Sequence, residues 1–167
     1  MNPELTHLLA HVKSLPYGRN SNRADYTLVP SEGKGTCSTK HAYIKHKAQE
    51  NNWNEVNLFI GIYLMSESNT PGVGVVLEKY SLKEIPEAHT YLKINGELTD
   101  ITGLDASVES FTETLQREEE ILPDQIGEYK VKFHQDFISN WAKTFMFSAD
   151  KIWKIREECI FQLSGLQ

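Results

Sequence analysis

Leu5, Leu8, Leu9 and Val12 recur at helical spacing, so the chain opens on an amphipathic helix. Asn2 can cap it, and Pro3 suits the first helical position, where its missing N–H costs nothing. Turn chemistry from Ser14 to Gly18 ends that helix. A polar stretch from Arg19 to Asp25 follows, then a short apolar run from Tyr26 to Val29 that Pro30 stops. From Thr36 to about Asn51 there is no Gly or Pro, and Cys37, His41, Ile44 and Ala48 share one helical face. Thr36 is the natural cap, which puts Cys37 at the helix N-terminus.

Val56 to Met65 is apolar on both alternating sets, as in a strand covered on two sides. Asn69 to Gly74 is rich in turn residues, and Val75 to Leu82 fits helix or strand. Ala88 to Ile94 and Glu97 to Ile101 flank Asn95-Gly96, the dipeptide that best closes a two-residue hairpin. Ala106 to Ile121 predicts an acidic helix ending at Pro123. Tyr129, Val131 and Phe133 alternate with Lys130, Lys132 and His134, which predicts a half-exposed strand. Helices over about Asp136 to Phe145 and Ala149 to Leu163 close the chain. Ser148 caps the last, with Ile152, Ile155, Cys159, Ile160 and Leu163 on its buried face.

No repeat, low-complexity tract or linker interrupts this pattern, so a single α+β domain over residues 1–167 is expected. A fold of about 150 residues can bury roughly 70% of its extended-chain surface. The 40% hydrophobic and 24% charged fractions exclude wholesale disorder. Lys and Arg number 17 against 23 Asp and Glu, a net charge of −6 that argues against a nucleic-acid backbone as partner. No apolar run approaches the roughly 20 residues needed to cross a bilayer, so no membrane partner is expected. The opening residues lack the pattern of a secretory leader, and two cysteines make no disulfide framework. The expectation is a cytoplasmic protein with free thiols.

Cysteine acts as a nucleophile only as thiolate, and a helix N-terminus favours that charge through its unpaired N–H groups and dipole. Gly33-Lys34-Gly35-Thr36-Cys37 supplies that setting, although a buried, inert cysteine at the start of a core helix fits the same residues. The hairpin offers a base and its orienting group. With a two-residue turn, Leu92 faces Thr99, Tyr91 faces Asp100 and His89 faces Thr102. His89 and Asp100 then become diagonal neighbours on one face, close enough for side-chain contact. A surface hairpin carrying an unrelated His and Asp is the plainer alternative. His41, one turn below Cys37, reads as a packed imidazole. His7 and His11 lack a third metal ligand nearby, and Arg117-Glu118-Glu119-Glu120 reads as a solvated helix face. No metal site, nucleotide fingerprint or cofactor is expected.

Gly35-Thr36-Cys37, the helix with Ala42, the covered strand, His89-Thr90-Tyr91 and Gly96-Glu97-Leu98-Thr99-Asp100-Ile101-Thr102 together resemble the transglutaminase-like core. Asp25-Tyr26-Thr27-Leu28 also resembles the segment before that family's cysteine. The likeness spans about residues 17–102 and is closest to compact bacterial members. It implies a papain-like fold: N-terminal helices, a nucleophile helix packed on an antiparallel sheet, and a C-terminal strand and helices (104–167) added to the core. It also implies a Cys37–His89–Asp100 triad. Tyr91 and Leu98 stand where the family favours aromatics such as Trp, and Asn52-Trp53-Asn54-Glu55-Val56 replaces a common family segment.

Such a triad implies cysteine-dependent hydrolysis or acyl transfer at a peptide or protein amide or isopeptide bond, through a thioester. The Cys37 backbone N–H and one further donor are expected to hold the oxyanion, with Tyr17 as first candidate and Asn20 and Asn22 as alternatives to plain loop polarity. A catalytically inactive peptide-binding module of the same fold is the alternative function. Acyl transfer from a thioester donor is a third reading. The substrate and the oligomeric state are not legible in the sequence.

Overall fold

The computed structural model describes residues 2–103 and 108–165. Its elements run α1 (Pro3–Ser14), α2 (Leu28–Glu32), α3 (Cys37–Glu50), β1 (Val56–Met65), α4 (Gly74–Lys79), β2 (Ile85–Ile94), β3 (Glu97–Thr99), α5 (Val108–Thr112), β4 (Leu115–Ile121), α6 (Glu128–Trp141) and α7 (Ala149–Gly165). Single 3₁₀ turns lie at Pro123–Ile126 and Ala142–Thr144. The fold is α+β, with strand order β3-β2-β1-β4. The described residues group into two compact units, one within Met1–Gly61, His89–Asp105 and Glu118–Lys130, the other within Ile62–Ala88, Ala106–Arg117 and Val131–Gln167.

In the first unit, the Asn2 side chain caps α1 through the Glu4 N–H, with Pro3 at the helix start. Leu5, Leu9 and Val12 are the residues α1 buries. Helix α3 packs against α1, α2 and the 3₁₀ turn at Pro123–Ile126. It begins with a capping box in which Thr39 replaces the usual Glu or Gln: the Thr36 N–H donates to Thr39 Oγ1, and the Thr39 N–H to Thr36 Oγ1. Gly35 leaves no room for a side chain, since a Cβ there would lie 2.9 Å from both Thr39 Oγ1 and Lys40 Cγ. Thr36→Ala is expected to cost about 1 kcal/mol and lower the melting temperature by roughly 2–4 °C, measurable in a thermal melt.

The hairpin has the expected register, Leu92↔Thr99, Lys93↔Leu98 and Ile94↔Glu97. Asn95 (φ 52°) and Gly96 (φ 84°) both adopt the left-handed turn that this dipeptide tolerates. The return strand is shorter than predicted and stops at Thr99. Beyond it the backbone turns to side chains: the Thr102 N–H donates to Asp100 Oδ1, and the Ile101 N–H to His41 Nε2.

Three other expectations are corrected. The run before Pro30 starts helix α2 at Leu28, and Pro30 is tolerated in the first turn because that turn has no intrahelical use for its N–H. The acidic helix predicted over 106–121 is instead the short helix α5 followed by strand β4; Ala106 and Ser107 lie outside the described residues. The acidic side chains of β4 have partners that helical periodicity could not reveal. Glu118 accepts from Tyr91 Oη and Lys93 Nζ, both at 2.5 Å, and Glu120 accepts from Asn57 at 3.0 Å. The Tyr129–Phe133 alternation belongs to helix α6, not to a strand. Glu128 to Trp141 contains no Gly or Pro, and Phe133, His134 and Ile138 supply its buried side while Tyr129 and Val131 are exposed.

In the second unit, the segment left open between helix and strand forms α4, which packs on α7. Ser148 caps α7 through the Lys151 N–H. Ile152, Ile155 and Cys159 are buried on α7, and the buried Glu87 carboxylate takes two bonds from Arg156, at 2.7 and 2.9 Å. Burial first, then the Glu87 and Glu158 charges, push the Cys159 thiol up to about 12. That cysteine is a packing residue.

Candidate functional site

All the residues of the site lie in the first unit. The capping box fixes Cys37 as the first residue of α3, partly exposed, where the helix dipole and unpaired N–H groups favour negative charge. His89 projects from β2, and its Nε2 lies 2.6 Å from Asp100 Oδ2, just past the end of β3. Nδ1 is therefore the nitrogen that serves the Cys37 thiol, with which the His89 side chain hydrogen-bonds. The backbone N–H of Thr90 donates to the same sulfur. Cys37, His89 and Asp100 thus form one connected chain.

The electrostatics follow from that chain. Burial is the largest single influence on the Cys37 thiol and pushes it up. The Lys130 and His89 charges, with the hydrogen bonds from His89 and Thr90, outweigh it and bring the thiol down to about 6. Burial likewise opposes the imidazolium of His89, but the charges and hydrogen bonds of Asp100 and Cys37 raise it to about 10. Both shifts favour the thiolate–imidazolium form of the pair. Burial pushes the Asp100 carboxyl up, but the charge and hydrogen bond of His89, with the Thr102 side chain, hold it well below the usual range.

His41 occupies the floor of the site and is not a base. Its Nδ1 donates to the Cys37 carbonyl at 2.6 Å, and its Nε2 accepts the Ile101 N–H at 2.8 Å. Both nitrogens are used by a neutral ring, and burial first, then the His89 and Lys40 charges, holds it down at about 4. The 3.4 Å approach of His41 Nε2 to Asp100 Oδ1 is accordingly not an ion pair. The ring ties helix α3 to the loop that carries Asp100. Lys40, fully buried, does similar work by donating to Leu15 O at 2.6 Å and Thr102 O at 3.0 Å. On the other side of His89, Tyr91 stacks on the imidazole (centroids 6.1 Å, 28°) and on Phe59 (6.1 Å, 11°), and its hydroxyl is anchored on Glu118. An aromatic pair, Tyr91 and Phe59, therefore backs the imidazole.

The three oxyanion candidates are placed differently. The backbone of Tyr17 bridges to Gly35, two residues before the cysteine, with Gly18 N–H on Gly35 O at 3.1 Å and Gly35 N–H on Pro16 O at 3.2 Å. Asn20 is buried, and its amide is engaged: Nδ2 donates to Glu32 Oε2 and to Lys34 O, while Oδ1 accepts from Thr39 Oγ1 at 2.7 Å. It braces the cap of α3 from behind. Asn22 is exposed and closes a local turn by accepting the Ala24 N–H.

Sequence reasoning missed Lys130. Its Nζ lies 3.9 Å from Cys37 Sγ and donates to Ser38 Oγ at 2.6 Å. No local signal could have found it, because it comes from α6, in the stretch whose alternation suggested a strand. Among the described residues no group of His, Cys, Asp or Glu is arranged to hold a metal ion.

Asp100→Asn is expected to remove the main group sustaining the imidazolium. His89 then loses its proton at lower pH, and the alkaline limb of any acyl-transfer profile moves down by about 1–3 pH units. A pH–rate profile with a peptide-amide substrate, whose departing amine needs that proton, checks this, and an unmoved limb contradicts it. Comparison with family models, with curated proteins and with solved structures returned no match.

Proposed function

We propose that this chain is a cysteine-dependent hydrolase or acyltransferase acting on an amide or isopeptide bond, with a transglutaminase-like, papain-like arrangement of its nucleophile helix and hairpin. The observation that carries the reading is the continuous chain from the Cys37 thiol through His89 to Asp100, with the 2.6 Å bond that fixes the imidazole. The order of the elements supports it: cysteine at a helix start, then a covered strand, then His and Asp on one hairpin.

The steps follow from the ion pair. The Cys37 thiolate attacks the carbonyl carbon and forms a C–S bond while the carbonyl oxygen takes the negative charge. As the carbonyl reforms, the C–N bond breaks, and the imidazolium of His89 gives its proton to the departing amine. A thioester on Cys37 and a neutral His89 remain. His89 then takes a proton from water or an acceptor amine as it attacks the thioester, and the thiolate leaves to restore the ion pair. Asp100 holds the imidazole in the tautomer that both steps need.

Trapping the intermediate tests the proposal. Incubation with p-nitrophenyl acetate, followed by intact-mass and peptide analysis, is expected to place one acetyl group on Cys37 and none on Cys159. Cys37→Ala is expected to lose the adduct. Equal, slow acetylation of wild type and Cys37→Ala contradicts the proposal.

A further inference from the structure

We propose that Lys130 is a catalytic residue of this site, its ammonium binding the oxyanion that forms when the thiolate adds to a carbonyl. The inference rests on the nucleophilic role of Cys37 proposed above and names the second donor that role requires.

Three observations converge on Lys130. The first is distance. A cation 3.9 Å from Sγ is within a hydrogen bond's reach of an oxygen on the carbon that bonds to that sulfur. The second is that the ammonium is held in place. Ser38 Oγ accepts from it at 2.6 Å, and Ser38 is itself buried and lies 3.3 Å from Thr90 Oγ1 on β2. An ammonium has three protons: one goes to Ser38, one faces the sulfur, and the third remains for a substrate oxygen. The third is the placement of two of the other candidates. Asn20 spends its amide on Glu32 and Lys34, and Asn22 sits in an exposed turn. Lys130 is the positively charged side chain at the thiol that does not itself belong to the His–Asp pair.

The Cys37 N–H, at the first position of α3, supplies the companion donor, since that position has no intrahelical acceptor, whereas the Thr39 N–H is taken by the cap. The oxyanion then sits between a helix N-terminus and a fixed cation. A full positive charge there is strongest for the transition state, in which negative charge moves from sulfur to oxygen within the same ammonium's reach.

The competing role, in which Lys130 only lowers the thiol's proton affinity, is separable by chemistry. Acylation by p-nitrophenyl acetate passes through an oxyanion, whereas alkylation by iodoacetamide does not. Both rates are measured on the full chain at pH 7.5 and expressed per thiolate, using each variant's own thiol titration. Lys130→Met is expected to slow acylation by on the order of 100-fold while alkylation per thiolate changes less than about threefold. Lys130→Arg, which keeps the charge, is expected to recover most of the loss. Lys130→Gln serves as a second uncharged variant, and iodoacetamide labelling of Cys37 but not Cys159 reports that each variant is folded. Equal changes in both rates, or no change in either, overturn the assignment of Lys130 while leaving Cys37 as nucleophile. A wild-type Cys37 that is inert to both reagents overturns the function itself, and this assignment with it.

Discussion

His89→Ala is expected to lower acyl-transfer turnover by ~10³-fold or more. The substitution removes two contributions at once. In the proposed mechanism the imidazolium gives its proton to the leaving amine, and its charge is one of the influences that bring the Cys37 thiol down to about 6. Without it, burial pushes the thiol back up against only Lys130 and the Thr90 N–H, so less thiolate is present at neutral pH. The Asp100 carboxylate is not stranded by the change, because the Thr102 N–H still donates to it at 2.8 Å. The loss is thus chemical rather than structural. Turnover of a peptide-amide substrate, together with a thermal melt of the same protein, checks this. Amide turnover within a few-fold of wild type in a folded variant contradicts it.

The second large effect falls on stability. Lys40→Met is expected to destabilise the fold by about 2–4 kcal/mol, a drop of roughly 5–15 °C in melting temperature. Two opposing effects decide the sign. Removing the side chain removes the cost of burying an ammonium, which is why buried charges often contribute little net stability. The carbonyls of Leu15 and Thr102, however, stay where they are and lose their donor. A buried acceptor such as the Thr102 carbonyl costs about 1–3 kcal/mol when left unpaired, and with the part-buried Leu15 carbonyl added the loss outweighs the relief. The Thr102 end also loosens the residue that donates to Asp100, so the pH profile of the site is expected to broaden with the loss of stability. Lys45→Met offers the contrast. Lys45 donates to one carbonyl, Val56 O, from a half-exposed position, and its loss is expected to cost under about 1 kcal/mol. Equal melting temperatures for Lys40→Met and wild type contradict the argument.

What was legible in the sequence is what local chemistry decides. The Thr36 cap and the helix start at Cys37 depend on residues within three positions of one another. The Asn95-Gly96 turn sets the hairpin register as far as Leu92↔Thr99, and Asp100, one residue past the strand, reaches His89 Nε2 without the two further pairings that the turn predicts. The failures have the opposite character. Glu118 and Glu120 looked like the solvated side of a helix because their partners, Lys93, Tyr91 and Asn57, lie on other strands. The alternation around Lys130 is too short to distinguish a strand from a helix, and the 3₁₀ turn at Pro123–Ile126 just before α6 packs against α3. The supporting roles of His41 and Lys40 were hidden for the same reason. An imidazole that joins the Cys37 carbonyl to the Ile101 N–H acts through backbone groups, which leave no mark on residue identity.

The central claim is that Cys37 rests as a thiolate paired with the imidazolium of His89, and a pH titration of its reactivity tests that most directly. As pH rises through the thiol's own value, the proton leaves and iodoacetamide labelling of Cys37 increases. The midpoint is expected near 6, with labelling sustained above it and Cys159 unlabelled throughout. A Cys37 midpoint near the ordinary thiol value of about 8.5 would contradict the ion pair, and with it the function built on it.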